Sequence, residues 1–295
     1  MDDSQNPGGD GGAGGEAQAD AILSKFGDPQ QLKAAAAQLD TNTVKVSPSG
    51  ATFPTISAAL ASITDASLRK QYLITAGPGT YNEQVILKPY VYLHGSGTDQ
   101  TVVTYGPFAS DNFLNRGTIV AASNSGVANL TANCLGGTWG AYSTALMAFN
   151  CTPFLAGEVV LLCDDQGNAG INIETIAVNS NAPAYGPTMV YFSHSTASAN
   201  MTSGDSVGQA LIADTQARVE CMESKLVATG GSQSFGVNSN GGASVTLDDC
   251  YVQGATFALN IPDYTSTLIA NNCTIDGPVQ NGVQINNDPP PSGGA

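Results

Sequence analysis

Three stretches in the last third of the chain align without gaps, and that repeat restricts the fold more than any other feature of the sequence. They are residues 218–226, 244–252 and 267–275. Their apolar positions superpose: Val219, Val245, Leu268; then Cys221, Leu247, Ala270; then Leu226, Val252, Ile275, with Ser224, Cys250 and Cys273 in between. Successive repeats start 26 and then 23 residues apart, which suits one rung of a coil of strands. Inside each window the side chains alternate inward and outward. The three-residue step from Leu247 to Cys250 breaks that alternation and marks a corner. Rungs stack ~4.8 Å apart, so Cys250 and Cys273 are expected as stacked inward neighbours. Thiols are expected there, because a disulfide needs restricted Cβ geometry.

The start of such a coil is legible in residues 46–104. Ile56, Ala59, Leu60 and Ile63 recur at helical spacing, with Thr55 as N-cap after Pro54. Tyr72-Leu73-Ile74-Thr75-Ala76 then reads as a strand ended by Gly77-Pro78-Gly79. Residues 84–87 and 90–93 read as two more strands around Pro89. A solenoid must cover its terminal apolar layer, and a helix followed by short strands does so.

These residues resemble the N-terminal region of the pectinesterase family, whose members are right-handed parallel β-helices of the pectin lyase-like fold. Phe53, Thr55, Ile56, Ala59 and Leu60 match the family's first motif. Ile74, Gly79, Tyr81, Glu83 and Val85 match the second, and Leu93, Gly95, Gly97, Thr101 and Val102 the third. The resemblance implies an all-β, single-stranded parallel β-helix with a short N-terminal helical cap. In the family these residues build the end of the coil and do no chemistry, so Glu83 and Tyr81 are read as fold residues.

The chain divides accordingly. Residues 1–19 are acidic and Gly-rich, a disordered leader. Residues 20–43 form a helical cap or attachment segment, with Ile22, Leu23, Phe26, Leu32, Ala35, Ala36 and Leu39 broken by Gly27-Asp28-Pro29. Residues 44–285 are the β-helix, and 286–295 a Pro/Gly-rich tail. In the less regular middle, residues 126–131 resemble the step between rungs of this fold, and residues 144–149, 159–163, 171–177 and 189–192 are each apolar enough to supply a strand. The stretch 105–215 is where this fold carries a functional groove.

A net charge of −15 with only nine Lys plus Arg argues against a nucleic-acid partner, which needs a basic face. No apolar run approaches the ~20 residues of a membrane span, and no signal peptide is visible. The compartment stays open; an extracellular, cell-surface or virion setting suits such a coil. The six cysteines contain no C-x-x-C pair and the two histidines, His94 and His194, are far apart, so neither a metal nor a cofactor is called for. Asn129, Asn150, Asn200 and Asn272 fit the glycosylation pattern. Asparagine at corners is better explained by its tolerance of left-handed backbone.

The resemblance implies, for an active pectinesterase, two aspartates and an arginine in motifs of the Q-D-T-L, D-F-I-F-G and L-G-R-P-W types. No such set is read in this sequence. Leu135-Gly136-Gly137-Thr138-Trp139 has glycine where the arginine belongs, and Asp214-Thr215 keeps only two residues of the first motif. The remaining candidates for catalysis are Asp164, Asp165, Asp214 and Arg218. Trp139, Tyr142, Tyr185, Tyr191 and Phe192 are candidates for stacking on sugar rings. The leading expectation is a non-catalytic β-helical scaffold or carbohydrate-binding module of the surface-adhesin or phage-fibre type, with a polysaccharide or glycan as partner and a homotrimer if fibre-like. The alternatives are a diverged carbohydrate esterase or polysaccharide lyase acting on acidic polysaccharide, and a purely structural virion or assembly component.

Overall fold

The computed structural model describes residues 42–50, 52–107, 116–136, 142–167, 170–180, 186–280 and 282–287. They lie in one compact unit, Asn42–Ala295. The leader, nearly all of the expected helical segment at 20–43 and most of the tail fall outside the described residues.

The described chain is a right-handed parallel β-helix with three faces: a ten-stranded, an eight-stranded and a seven-stranded sheet, every ladder parallel. A rung visits them in that order. Arg218–Met222 belongs to the ten-stranded sheet, Lys225–Gly230 to the eight-stranded and Gln233–Ser239 to the seven-stranded, and Ser244–Asp248 opens the next rung. The predicted register holds: Val219 pairs with Val245 and Val245 with Leu268, Cys221 with Leu247 and Leu247 with Ala270. Leu226, Val252 and Ile275 stack in the next sheet. These residues point into one continuous core, where Val219, Val245, Leu247, Val252 and Leu268 are at most 1% exposed.

The helix Ile56–Ser62 closes the start of the coil and buries Ile56, Ala59 and Leu60. Thr55 accepts from the Ala58 amide at 3.1 Å, the expected N-cap. Glu83 clamps the same helix end, its two carboxylate oxygens accepting from the Ile56 and Ser57 amides at 2.8 Å each. An anion there satisfies two orphan amides of the first turn. Tyr81 is 3% exposed and donates to the Gly77 carbonyl at 2.9 Å, so it fixes a corner.

Corners between the ten- and eight-stranded sheets follow one rule. Asn129, Glu158, His194, Glu223, Asp249 and Asn272 each hold a φ between 46° and 54°. Each donates its amide to a carbonyl of the following rung, over 2.8–3.3 Å. Asn150, another asparagine of the glycosylation pattern, is also left-handed, with φ 49°. All six cysteines are buried free thiols. Cys250 Sγ lies 3.8 Å from Cys221 Sγ, and the Cys250 amide donates to Cys273 Sγ at 3.4 Å, the expected stack.

Several strands carry no clear apolar pattern in the sequence, among them Thr196–Met201, Val207–Asp214 and Phe257–Asn260. Alanine supplies their core contacts: Ala197, Ala199, Ala210, Ala213 and Ala258 are fully buried. Leu161 and Leu226 stack on either side of Ala197. Leu247 stacks in the same way between Cys221 and Ala270 and is fully buried, so Leu247→Ala opens a cavity between rungs and is expected to lower stability by about 3 kcal/mol. Equilibrium urea denaturation measures it; a loss below about 1 kcal/mol would mean that the rungs collapse onto the gap.

Candidate functional site

The seven-stranded sheet presents one outward row whose chemistry differs from the rest of the surface. Its strands include Gly117–Val120, Tyr142–Phe149, Asn172–Asn179, Val207–Asp214, Gln233–Ser239 and Phe257–Asn260. Thr144 pairs with Gly117, Glu174 with Gln209, Gln209 with Phe235 and Phe235 with Phe257. The pairs Ser143–Ile173 and Leu146–Ile176 set Thr144 beside Glu174. Residues in parallel register point the same way, so Thr144, Glu174, Gln209, Phe235 and Phe257 form one line along the coil axis.

At the centre of the line is a buried ion pair. Arg116 Nη2 lies 3.7 Å from Glu174 Oε2, and each residue is 5% exposed. Arg116 precedes the strand two rungs earlier and reaches over the intervening rung, where its guanidinium sits 4.2 Å above the Tyr142 ring. Burial pushes the Glu174 carboxyl up from an ordinary 4.5 to about 7; Arg116 pulls it down and the charge of Asp214 adds to the rise. The hydroxyls of Ser143, Thr144 and Thr175, on the same two strands, are buried with no hydrogen-bond partner among the described residues.

Further along the row the surface turns amphipathic. The rings of Phe235 and Phe257 are half-buried and stack at 6.4 Å and 19°. Beside them Asn260 donates to Asn238 at 3.1 Å and Asn238 to Gln209 at 2.7 Å.

The sequence-derived candidates are not brought together. Asp164 ends a strand of the eight-stranded sheet, Asp165 follows it, Asp214 ends a strand of the seven-stranded sheet and Arg218 begins one of the ten-stranded sheet. Asp164 accepts from the Gln166 amide at 2.9 Å in a local turn. Asp165 is fully buried and accepts from the amides of Thr202, Ser203 and Gly167 and the Thr202 hydroxyl. Burial works to raise its carboxyl, but the Thr202 hydroxyl and those amides outweigh it and hold the group at about 2. It is a clamp between rungs, with no lone pair left for a substrate. Asp214 touches the site only through its charge on Glu174.

Of the aromatic candidates, Tyr142 is 38% exposed and belongs to the site as the face under Arg116. Phe192 is 1% exposed and packed in the core, and Tyr191 is 5% exposed, so neither ring offers a face to a ligand. Trp139 and Tyr185 lie outside the described residues. Sequence reading missed Glu174, Arg116, Gln209, Phe235 and Phe257. Glu174 had a signal: a lone acid inside the apolar strand Asn172–Asn179, where Glu174-Thr175-Ile176 keeps the acid, threonine and apolar residue of the Q-D-T-L type. Arg116 had none, since only the register brings it across two rungs.

The chain is similar in structure to a pectin methylesterase from carrot, with a TM-score of 0.55 and 12% identity over 84% of this chain and 88% of that one. It is also similar to a pectin methylesterase from Aspergillus niger, with a TM-score of 0.52 and 17% identity over 85% and 87%. At such identities the likeness is one of fold. No protein-family model matches the chain, and no curated protein matches it.

Glu174 gives the site a pH signature. A carboxyl raised in the folded state stabilises the fold fully below its unfolded value of 4.5, and that contribution is lost as pH rises through 7. The loss across this window is about 3 kcal/mol. Denaturation midpoints of wild type are expected to fall from pH 4.5 to 7.5 relative to those of Glu174→Gln. Parallel pH profiles for the two proteins would show that the Glu174 carboxyl titrates in the fold as it does in the unfolded chain.

Proposed function

We propose that the protein is a non-catalytic glycan-binding β-helix that takes a polysaccharide along the outer face of its seven-stranded sheet. The observation that carries this is the half-buried Phe235–Phe257 stack beside the amide chain of Gln209, Asn238 and Asn260. Aromatic faces suit the apolar faces of sugar rings, and amides suit their hydroxyls. A ring and an amide fall on each of two adjacent rungs, Phe235 with Asn238 and Phe257 with Asn260, so a polymer lying along the coil axis meets the same pair of groups at two successive steps.

The same row speaks against two-carboxylate ester chemistry. The neighbours of Glu174 in register are Thr144 and Gln209, both neutral, and Arg116, itself held against the Tyr142 ring, pairs with the acid. One observation favours a second reading, that of a diverged carbohydrate esterase. A carboxyl near 7 has the proton affinity of a general base that works at neutral pH.

Affinity electrophoresis against neutral and acidic polysaccharides separates the two. Wild type is expected to be retarded, with polymer length and ester content unchanged, and Phe257→Ala to weaken retention at least about tenfold. Retardation that survives Phe257→Ala would place the glycan elsewhere. Release of alcohol or acid from the polymer by wild type, lost in Glu174→Gln, would replace the binding reading with the esterase one.

A further inference from the structure

A second site lies at the start of the coil, away from the seven-stranded sheet. Thr43–Val46, Tyr72–Ala76 and Val91–His94 are neighbours in the ten-stranded sheet. Their register sets Lys45 beside Thr75 and Thr75 beside His94. The residue before each (Val44, Ile74 and Leu93) packs on the core, so Lys45, Thr75 and His94 point outward. The chain then bends at Ser47, Gly77 and Gly95-Ser96, and between row and bend is an open cavity of about 510 Å³. That is within the range of small-molecule sites.

The lining has an unusual composition for this chain. Lys45, Ser47, Ser49, Thr75, His94 and Ser96 supply its polar groups, and no carboxylate lines it, although the protein carries a net charge of −15. Lys45 pairs with no carboxylate among the described residues. Ser96 donates its hydroxyl to the Ala76 carbonyl at 3.0 Å, which leaves its oxygen able to accept. His94 is fixed by Asn129, whose amide nitrogen lies 2.9 Å from Nε2. Burial holds the ring below its ordinary value; the Gly95 backbone and the charge of Glu158 act the other way. Glu158 does not line the cavity. One ammonium therefore stands among hydroxyls, with no aromatic face other than the imidazole.

We propose that this cavity binds a hydroxylated carboxylate, a sugar acid, with Lys45 as counter-ion to the carboxylate and the serine and threonine hydroxyls meeting the ligand's hydroxyls. An apolar ligand would leave Lys45 and the hydroxyls without partners, and a cation meets the Lys45 charge. A bare anion satisfies Lys45 but leaves the hydroxyls unused. The proposal does not depend on the glycan face of the seven-stranded sheet.

Titration calorimetry with glucuronate, glucose and inorganic sulfate tests it on the full chain. Glucuronate is expected to bind in the millimolar range and glucose at least about tenfold more weakly. Lys45→Ala is expected to weaken glucuronate at least about tenfold, with Lys45→Arg retaining most of it. Lys45 is exposed, and an unchanged thermal melt confirms that the variant folds. Retardation by polysaccharide in affinity electrophoresis is expected to survive Lys45→Ala, which keeps this test apart from that of the other face. Absence of glucuronate binding, equal binding of glucose, or full binding by Lys45→Ala overturns the proposal. Sulfate binding as tightly as glucuronate overturns the sugar-acid assignment and leaves an anion site only.

Discussion

Six successive rungs of this coil, from Asn129 to Asn272, each depend on one residue held in the left-handed region at the turn from the ten- to the eight-stranded sheet. That conformation costs roughly 1–2 kcal/mol for a residue with a Cβ. The protein accepts it at Asn129, Glu158, His194, Glu223, Asp249 and Asn272 because it turns the amide toward the next rung, where a carbonyl accepts it. A side chain then locks the corner from the following position. Ser195 and Ser224 donate to the carbonyl two residues back at 2.6 and 2.7 Å, and Cys250 and Cys273 do so at 3.3 and 3.2 Å. Serine and cysteine share a column because both are small and both donate. These two cysteines are therefore corner locks by chemistry, and the hydrogen bond to the neighbouring thiol, together with burial, pushes their thiols well above the ordinary value.

The same requirement explains where the acids went. In a solenoid, any backbone amide that leaves a ladder needs an acceptor. Glu83 supplies one for the cap helix, Asp165 for the bend at Thr202-Ser203, and Asp263 for Gly241, Thr265 and Ser266. Desolvation opposes the charge on Asp263, yet hydrogen bonds from Ser266, Thr265 and Gly241 hold its carboxyl at about 2, as those of Asp165 do. Carboxylates that look like a catalytic pair on paper are, in space, clamps on different corners. Glu174 is different in kind. It takes no backbone amide among its described partners and pairs with the Arg116 cation instead.

Legibility in the sequence followed side-chain size and locality. The cap and the last three rungs were readable because their contacts fall at fixed, short offsets and their inward residues are large: Ile56, Leu60, Val245, Leu247, Leu268. The middle rungs were blurred because Ala197, Ala199, Ala210 and Ala213 fill inward positions, and alanine carries no pattern by itself. The outward row was hidden for another reason. Thr144, Glu174, Gln209, Phe235 and Phe257 are separated by 30, 35, 26 and 22 residues, and rung lengths that uneven cannot be aligned without the register. Adjacent acids drew the eye to Asp164-Asp165, although neighbours in a strand point to opposite faces.

The burial of Arg116 and Glu174 bears on what such a row can do. Desolvating both charges is expensive, and a 3.7 Å contact offsets it only in part, which is why the carboxyl sits near 7. Replacing the pair with apolar residues would serve the fold as well or better, so the pair is better understood as part of a polar floor than as a source of stability. A floor of that kind suits a ligand rich in hydroxyls, which exchanges hydrogen bonds without bringing a charge into the low-dielectric layer. Catalysis asks more of the same geometry: a second group in register with Glu174 to take the other proton or the acyl fragment. The rung that has to supply it offers Gln209, whose amide oxygen is already committed to Asn238. The row thus combines neutral polar groups at Thr144 and Gln209, half-buried rings at Phe235 and Phe257, and one proton-binding group at Glu174.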